Sequence, residues 1–513
     1  MPTFGCTVLG RMLTALLLLT LLLFSPNIAR AALIDVPAGG NLQSAINQAQ
    51  PGDTISVQAG ATFTGPFTLT NKGSSTEYIT IQSSLITNLP VGQRVSPAQA
   101  QYMPKLVAET TYTLVVLTSG AAHHWNLLGL EISPASSGSE SGELVRLGEA
   151  TATSLSQVPH HIGIDRCYIH AFPEQNFKRG VTLNSADSSV SNSYIAEIHS
   201  TTQQTSGIGG WNGPGPFTIT NNRIEAAGQN ILFGGTDPAI PNLIPSDITI
   251  IGNYLHKPLA WKTKSGELYD VENLLELKSA QRVRIESNYL ENNWVEGGSQ
   301  QGAGVLFSVR NQNGGAPWSA IKDVQFTNNI IRNCPRGMQV LGHDQLNPSG
   351  TLERVTVGNN LWLIGALSPY TRNFLQINNG ASGMTVDHNT IFHEGEAIVM
   401  VNASDPSPNF NFTNNILSHN NAFIWYIESD YNFHFGATGV FRRNVIVGGI
   451  NSDVLNASDN FTSPVTMEAL GFVDLAGGNY RLADSSPYKG KAIDGSDVGC
   501  NIDGLADAQG ARF

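Results

Sequence analysis

The chain reads as an all-β protein, a right-handed single-stranded parallel β-helix of three parallel sheets and about ten or more coils. Segments of one pattern recur along it: FTITNNRIE, ITIIGNYLH, VRIESNYLE, VQFTNNIIR, VTVGNNLWL, MTVDHNTIF and FNFTNNILS. Their apolar residues alternate with period two and are mostly β-branched or aromatic, the mark of strands rather than helices. The repeated asparagine falls at Asn192, Asn222, Asn253, Asn288, Asn329, Asn360, Asn389, Asn415 and Asn444. Successive spacings therefore run from 26 (Asn389 to Asn415) to 41 (Asn288 to Asn329). A period of about 30 residues is one turn of a stacked solenoid.

The bend between the two strands of each unit needs a residue at positive φ, and asparagine tolerates that conformation better than other residues with side chains. Stacking the coils would place asparagine over asparagine and let their amides bond along the stack. A third strand follows most units: GVTLNS, NILFGG, NLLELKS, GVLFSVRN, NFLQINN, AIVMVNA and FIWYIE. The widest connections hold Gly297 to Gly304 and Asn311 to Trp318, and long loops on a rigid scaffold are where function concentrates.

The ends need covers, because an open solenoid exposes strand edges and apolar core. Leu42 to Ala49 reads as a short amphipathic capping helix with Leu42, Ala45, Ile46 and Ala49 on one face. Residues 1–31 read as a signal peptide: Arg11, an apolar run from Met12 to Phe24, then Ala29-Arg30-Ala31. Residues 32–470 read as the β-helix and 471–513 as a C-terminal cap segment. The expected location is secreted, periplasmic or at the cell surface, with no membrane span in the mature chain and a monomeric state.

The net charge is -12 and only 13% of residues are charged. With no basic run, nucleic acid is not expected as a partner. Cys167, Cys334 and Cys500 are far apart and form no C-x-x-C pair, so small buried residues are expected there rather than a metal site.

The opening VPAGGNLQSAINQAQPGDTISVQAGATFTG resembles that of pectate-lyase-like right-handed β-helix proteins. The closing GNYRLADSSPYKGKAIDGSDVG is similar to that of many secreted bacterial β-helix proteins. The resemblance implies the fold over nearly the whole mature chain. It leaves activity open, because this superfamily holds lyases, hydrolases, epimerases and adhesins.

Chemistry is expected on the outward face of the third strands. In NLLELKS, alternation puts Leu275 and Leu277 inward and Glu276 and Lys278 outward. One coil later, Ser308 and Arg310 face out, Asn230 lies one coil earlier, and Thr182, Asn184, Gln376 and Asn378 extend the stripe. Coils about 4.8 Å apart would bring these onto one polar surface. The set resembles the alginate lyase and chondroitinase B family. That resemblance implies Lys278 as base, Arg310 as acid or carboxylate partner, and Glu276 with Asn230 as calcium ligands. The implied reaction is β-elimination on a uronic-acid polysaccharide; the alternative is a non-catalytic β-helix that binds glycan or builds a cell surface. Asn184, Trp211, Ser308, Gln376 and Asn378 are the expected substrate-binding residues. Glu276 and Lys278 stand closer together, and Lys278 and Arg310 further apart, than that family usually places them.

Other candidates carry less. His123-His124 and His160-His161, with His170, raise a metal site, but adjacent strand residues point to opposite faces and should not chelate one ion. Asp165, Glu225 and Asp237 fall on different coils, unlike the paired carboxylates of a glycosidase. Gly342-His343-Asp344 faintly resembles a polygalacturonase element. Asp494, Asp497 and Asp503 read as turn residues. Trp211, Trp261, Trp294 and Trp318 could stack on sugar or pack inside.

Overall fold

The structure is a computed structural model that describes Met1 and residues 31–108, 114–135, 142–262, 269–294, 302–365, 373–393, 395–419, 421–427 and 429–508. The apolar run Met12–Phe24 and the Ala29-Arg30 site lie outside the described residues. Among the described residues no helix is long and apolar enough to cross a membrane.

Strands feed three parallel sheets in turn, coil after coil. The sheets hold 14, 13 and 12 strands, and each strand pairs with its counterparts in the coils before and after. The winding is that of a right-handed parallel β-helix. Alternation fills the interior with one continuous apolar cluster running from Val36 to Val454, with Trp125, Phe217, Phe307, Phe326 and Trp362 fully buried.

Asparagines do stack, and the hydrogen bonds show how. Asn222, Asn253, Asn288, Asn329, Asn360, Asn389, Asn415 and Asn444 are all buried. In each step from Asn222 to Asn444, the backbone N–H and the side-chain amide of one Asn donate to Oδ1 of the next, at 2.8–3.1 Å. Asn460 ends the ladder. Asn192 is not in it: Ser193 takes that rung, its N–H donating to Asn222 Oδ1 at 2.9 Å. The positive φ belongs to the residue before each rung, among them Asn221, Asn328, Asn359 and Asn414. The laddered Asn serves hydrogen bonding; its predecessor makes the bend.

A second regularity was not expected. Strands of the 14-stranded sheet carry a residue at positive φ near their start: His124, His161, Asp187, Asp247, Arg282, Asp323 and Arg354. Pairing skips this position, as in His160↔His123 followed by Ile162↔Trp125. The twist overturns strict alternation there. Neighbouring rings come together: His123 Nδ1 lies 2.7 Å from His124 Nδ1, and His160 Nδ1 lies 2.7 Å from His161 Nδ1.

The expected helix forms over Leu42–Gln48, N-capped by Asn41, whose side chain accepts from Ser44 N–H. Its buried face joins the core, and Gln43 satisfies both backbone groups of Thr68 on the first strand of the 12-stranded sheet. At the other end Tyr431, Phe435 and Val454 join the core. The segment after residue 471 runs back along the side of the solenoid: Ile493 N–H donates to Asn414 Oδ1, Cys500 N–H to Thr390 Oγ1 and Asn501 N–H to Asn359 Oδ1. Cys167, Cys334 and Cys500 are all free thiols, the first two buried.

Candidate functional site: a groove on the third sheet

A cavity of about 860 Å³ opens on the outer face of the 12-stranded sheet. Its floor follows from register. Strands Leu275–Leu277, Ala303–Ser308, Arg336–Leu341, Asn373–Asn378 and Ala397–Asn402 stack in parallel. One outward row reads Glu276, Leu306, Gln339, Gln376 and Met400. Two residues on, Ser308, Leu341, Asn378 and Asn402 form a second row. Lys278, Ser308, Arg310, Gln376 and Asn378 all line the cavity, with Glu276 at its floor.

Lys278 is the central cation. Its side chain is only 11% exposed, and its ammonium lies 3.3 Å from Glu276 Oε1. Its nearest charged neighbour is thus a carboxylate rather than the second cation expected beside a base. Arg310 is held against Lys278 by its backbone, the N–H donating to Lys278 O at 3.0 Å. Its guanidinium sits 3.4 Å from Asp344 Oδ1 and stays 34% exposed. Burial works against ionising Asp344, but the backbone N–H groups of Leu346 and Asn311 outweigh it and hold the carboxyl below its usual range. Gln376 and Asn378 are fixed by a chain of bonds: Arg336 donates to Gln376 at 2.8 Å, and Gln376 donates to Asn378 at 3.1 Å.

A second hollow of about 300 Å³ shares Gln204, Gly235 and Lys278 with the first and continues to Lys178 and Arg179. Four cationic residues therefore line one track in a chain whose net charge is -12. Neighbouring Gln204, Gln229, Gln339 and Asn402 supply amides of the kind that hydrogen-bond hydroxyl groups.

The expected metal pair does not assemble. Asn230 is fully buried and donates to Ile224 O and His256 O at 2.7 and 3.0 Å. In the ladder Leu232, not Asn230, stands opposite Glu276. A different acidic pair surrounds the floor. Gln229 donates to both Glu272 and Glu276, and Asn273 donates to Glu276 at 3.2 Å. Burial, and then the charge of Glu276, push Glu272 up to about 7. Two buried carboxylates supply hard oxygen donors of the kind a hard cation takes. Glu272 and Glu276 are the residues that would hold calcium.

Asn184 and Trp211 lie elsewhere in the same sheet. Asn184 Oδ1 accepts from Trp211 N–H and Asn212 N–H at 3.0 and 2.9 Å, which orders the backbone. Trp211 lies under the Arg179 guanidinium at 4.7 Å and is 8% exposed, too covered to stack on a sugar. Trp261 and Trp294 are buried. Trp318 donates to Leu243 O.

The carboxylates considered for hydrolysis have other partners. Asp165 binds Arg166 and Ser191, and Glu225 binds Tyr194 and His256. Asp237 accepts from Asn313 and Gly315 N–H, pinning the long loop beside the groove. His343 pairs with Asp405 at 3.0 Å. Asp494 and Asp497 accept backbone N–H groups of their own segment, and Asp503 pairs with Arg481.

Gln339 and Asn402 extend the predicted rows and follow from the same register. Glu272, Gln229 and Asp344 come from bends and the ends of strands, where alternation gives no direction.

No protein-family model matches the chain, and no curated protein does. Among solved structures, a PL6-family alginate lyase, AlyGC, aligns with TM-score 0.54 and 13% identity over 85% of this chain and 53% of its own. The catalytic unit of a GH87 α-1,3-glucanase from Streptomyces thermodiastaticus strain HF3-3 aligns with TM-score 0.49 and 13% identity, over 86% and 71%. Pectate lyase Pel9A aligns with TM-score 0.38 and 14% identity, over 92% and 96%. The chain spans about half the length of the alginate lyase. At these identities the likeness is one of fold. Three parallel sheets, a buried Asn ladder and the likeness to the alginate lyase together give the chain the right-handed parallel β-helix fold.

Proposed function

We propose that the chain is a carbohydrate-active protein whose groove binds a uronic-acid polysaccharide and cleaves it by β-elimination. The observation that carries this is the joining of Lys278 and Arg310 in one amide-lined cleft. An anionic glycan would lie along the track from Lys178 to Arg310, its carboxylates meeting cations and its hydroxyls meeting Gln and Asn side chains. The chain would work outside the cytoplasm, as its N-terminal apolar run suggests.

The chemistry has three parts. Arg310, the more exposed cation, engages the uronate carboxylate and stabilises the negative charge that grows when C5 loses its proton. Lys278 is the group placed to take that proton. The electron pair of the C5–H bond forms the C4=C5 double bond, the C4–O4 bond breaks, and the departing O4 takes a proton from solvent water in the open groove. A calcium ion bound at Glu272 and Glu276 would add positive charge beside the same carboxylate.

The Lys278–Glu276 ion pair favours a second reading, in which the groove holds glycan without cutting it. One assay separates the two. The purified chain is offered alginate, pectate and glycosaminoglycans, with calcium and with chelator, and near-ultraviolet absorbance is followed. Lysis makes an unsaturated sugar, so absorbance rises on one of them. Lys278→Ala is expected to lose about 10²- to 10⁴-fold of that rate. No rise on any substrate favours the binding reading, and undiminished turnover in Lys278→Ala removes this lysine from the mechanism.

A further inference from the structure

Outside the groove, four imidazoles meet on the 14-stranded sheet. His123-His124 and His160-His161 occupy the same position in consecutive coils. Positive φ at His124 and His161 turns each pair so that its rings converge. Ring centroids stack at 4.8 Å for His123 over His160 and at 4.4 Å for His124 over His161. One nitrogen from each of His124, His160 and His161 lies within 4.8 Å of the others.

Two outer contacts settle which nitrogens carry a lone pair towards the cluster. His123 Nε2 faces Gly73 O at 2.7 Å. A carbonyl only accepts, so that nitrogen carries the proton and Nδ1 of neutral His123 presents a lone pair. His161 Nε2 faces Asp187 Oδ2 at 2.9 Å, which likewise leaves its Nδ1 unprotonated in the neutral ring. Each of these Nδ1 atoms accepts a hydrogen bond from the Nδ1–H of the adjacent histidine at 2.7 Å, and an ion bound there would take the place of that proton. Two nitrogens bound to one ion at about 2.0–2.1 Å stand about 2.9 to 3.4 Å apart. The close pairs are thus near the bite of one metal, and small ring rotations would bring the third nitrogen in.

We propose that this cluster binds a borderline transition-metal dication such as zinc, with His124, His160 and His161 as ligands and His123 as a further nitrogen donor. Imidazole nitrogens select such ions over calcium or magnesium. Asp187, on the next coil, orients His161 from behind, the arrangement that fixes a metal-bound imidazole. The ion would tie together the coils that carry the fourth and fifth strands of the 14-stranded sheet.

The test uses the full chain without a histidine tag, stripped with chelator and dialysed, then titrated with zinc by calorimetry near pH 7.5. Cobalt(II) serves as a spectroscopic probe of nitrogen coordination. One zinc per chain with a micromolar or tighter Kd is expected, together with visible cobalt bands and a raised Tm. His124→Asn with His160→Gln is expected to weaken zinc by at least about 30-fold and abolish the cobalt bands. Asp187→Asn, a milder change, should weaken zinc several-fold. No zinc binding by the unaltered chain overturns the proposal, and so does an unchanged zinc affinity in the double variant.

Discussion

Asn329 shows what one residue does here. It is fully buried, its Oδ1 receives two bonds from Asn288, and its amide donates to Ile285 O, Thr327 O and Asn360. Asn329→Ala would strand the Asn288 backbone N–H away from water and take one donor each from Ile285 O, Thr327 O and Asn360 Oδ1. Leaving such groups unpaired costs about 1–3 kcal/mol each, partly relieved by relaxation. A loss of about 2–4 kcal/mol is expected, read as a lower midpoint in denaturant unfolding. Glu272 makes a different prediction. Its folded pKa is raised to about 7, first by burial and then by Glu276. A raised carboxylate binds more protons in the folded chain, so its stabilising contribution is present below about pH 4.5 and is lost as pH rises through about 7. Glu272→Gln should therefore leave Tm little changed at pH 5 and raise it at pH 8, by up to about 3 kcal/mol in stability. Thermal melts of both chains across that range check it, in chelator so that no cation masks the carboxylate pair. Residues at this scale were legible where they repeat: eight of the nine expected asparagines stand on their rungs, from Asn222 to Asn444. Asn192 missed by one place because a serine, equally able to accept from a backbone N–H, fills rung 193. Glu272 was not legible, since a buried acid in a bend has no periodic neighbour to point it out.

At the scale of the strand, the groove depends on how closely its coils approach. Gly342 follows strand Arg336–Leu341, and a Cβ there would meet Gly380 O at 1.3 Å. Its own N–H donates to Asn378 O at 2.9 Å. Gly342→Ala must push apart the two strands that carry Leu341 and Asn378. It is expected to lower Tm by several degrees and to reduce glycan turnover with it; a normal melt would show that the coils give way easily. Alternation alone was enough to put Lys278, Ser308, Gln376 and Asn378 on the groove face, because these strands are regular. It failed for His123-His124 and His160-His161, because the positive-φ residue near the start of those strands of the 14-stranded sheet breaks the period of two. Such a bulge leaves no mark in composition: His, Asp and Arg all occupy it.

For the whole molecule, the governing fact is that residues about 30 apart in sequence become lateral neighbours. Glu276, Leu306, Gln339, Gln376 and Met400 share one row only because each coil repeats the last. The irregular parts decorate that frame: the Asn311–Trp318 loop, pinned by Asp237, walls one side of the groove. The fold was legible because repetition states it many times over. The groove's chemistry was half legible, because cations on regular strands can be placed by counting, whereas carboxylates and amides from bends cannot. Asn230 illustrates the failure: counting set it beside Glu276, but the register puts Leu232 there, and the Asn230 amide is taken up by Ile224 O and His256 O.

The most direct measurement is a crystal structure of Lys278→Ala holding a uronate tetrasaccharide from whichever glycan the assay selects. The expected result is a sugar chain running across the coils from Arg179 towards Asn402, with one carboxylate bonded to Arg310 and its C5 hydrogen facing the space the Lys278 side chain has left. A glycan bound on another sheet, or one in this groove with its carboxylates turned away from Arg310, would contradict the assignment of this face as the site of cleavage.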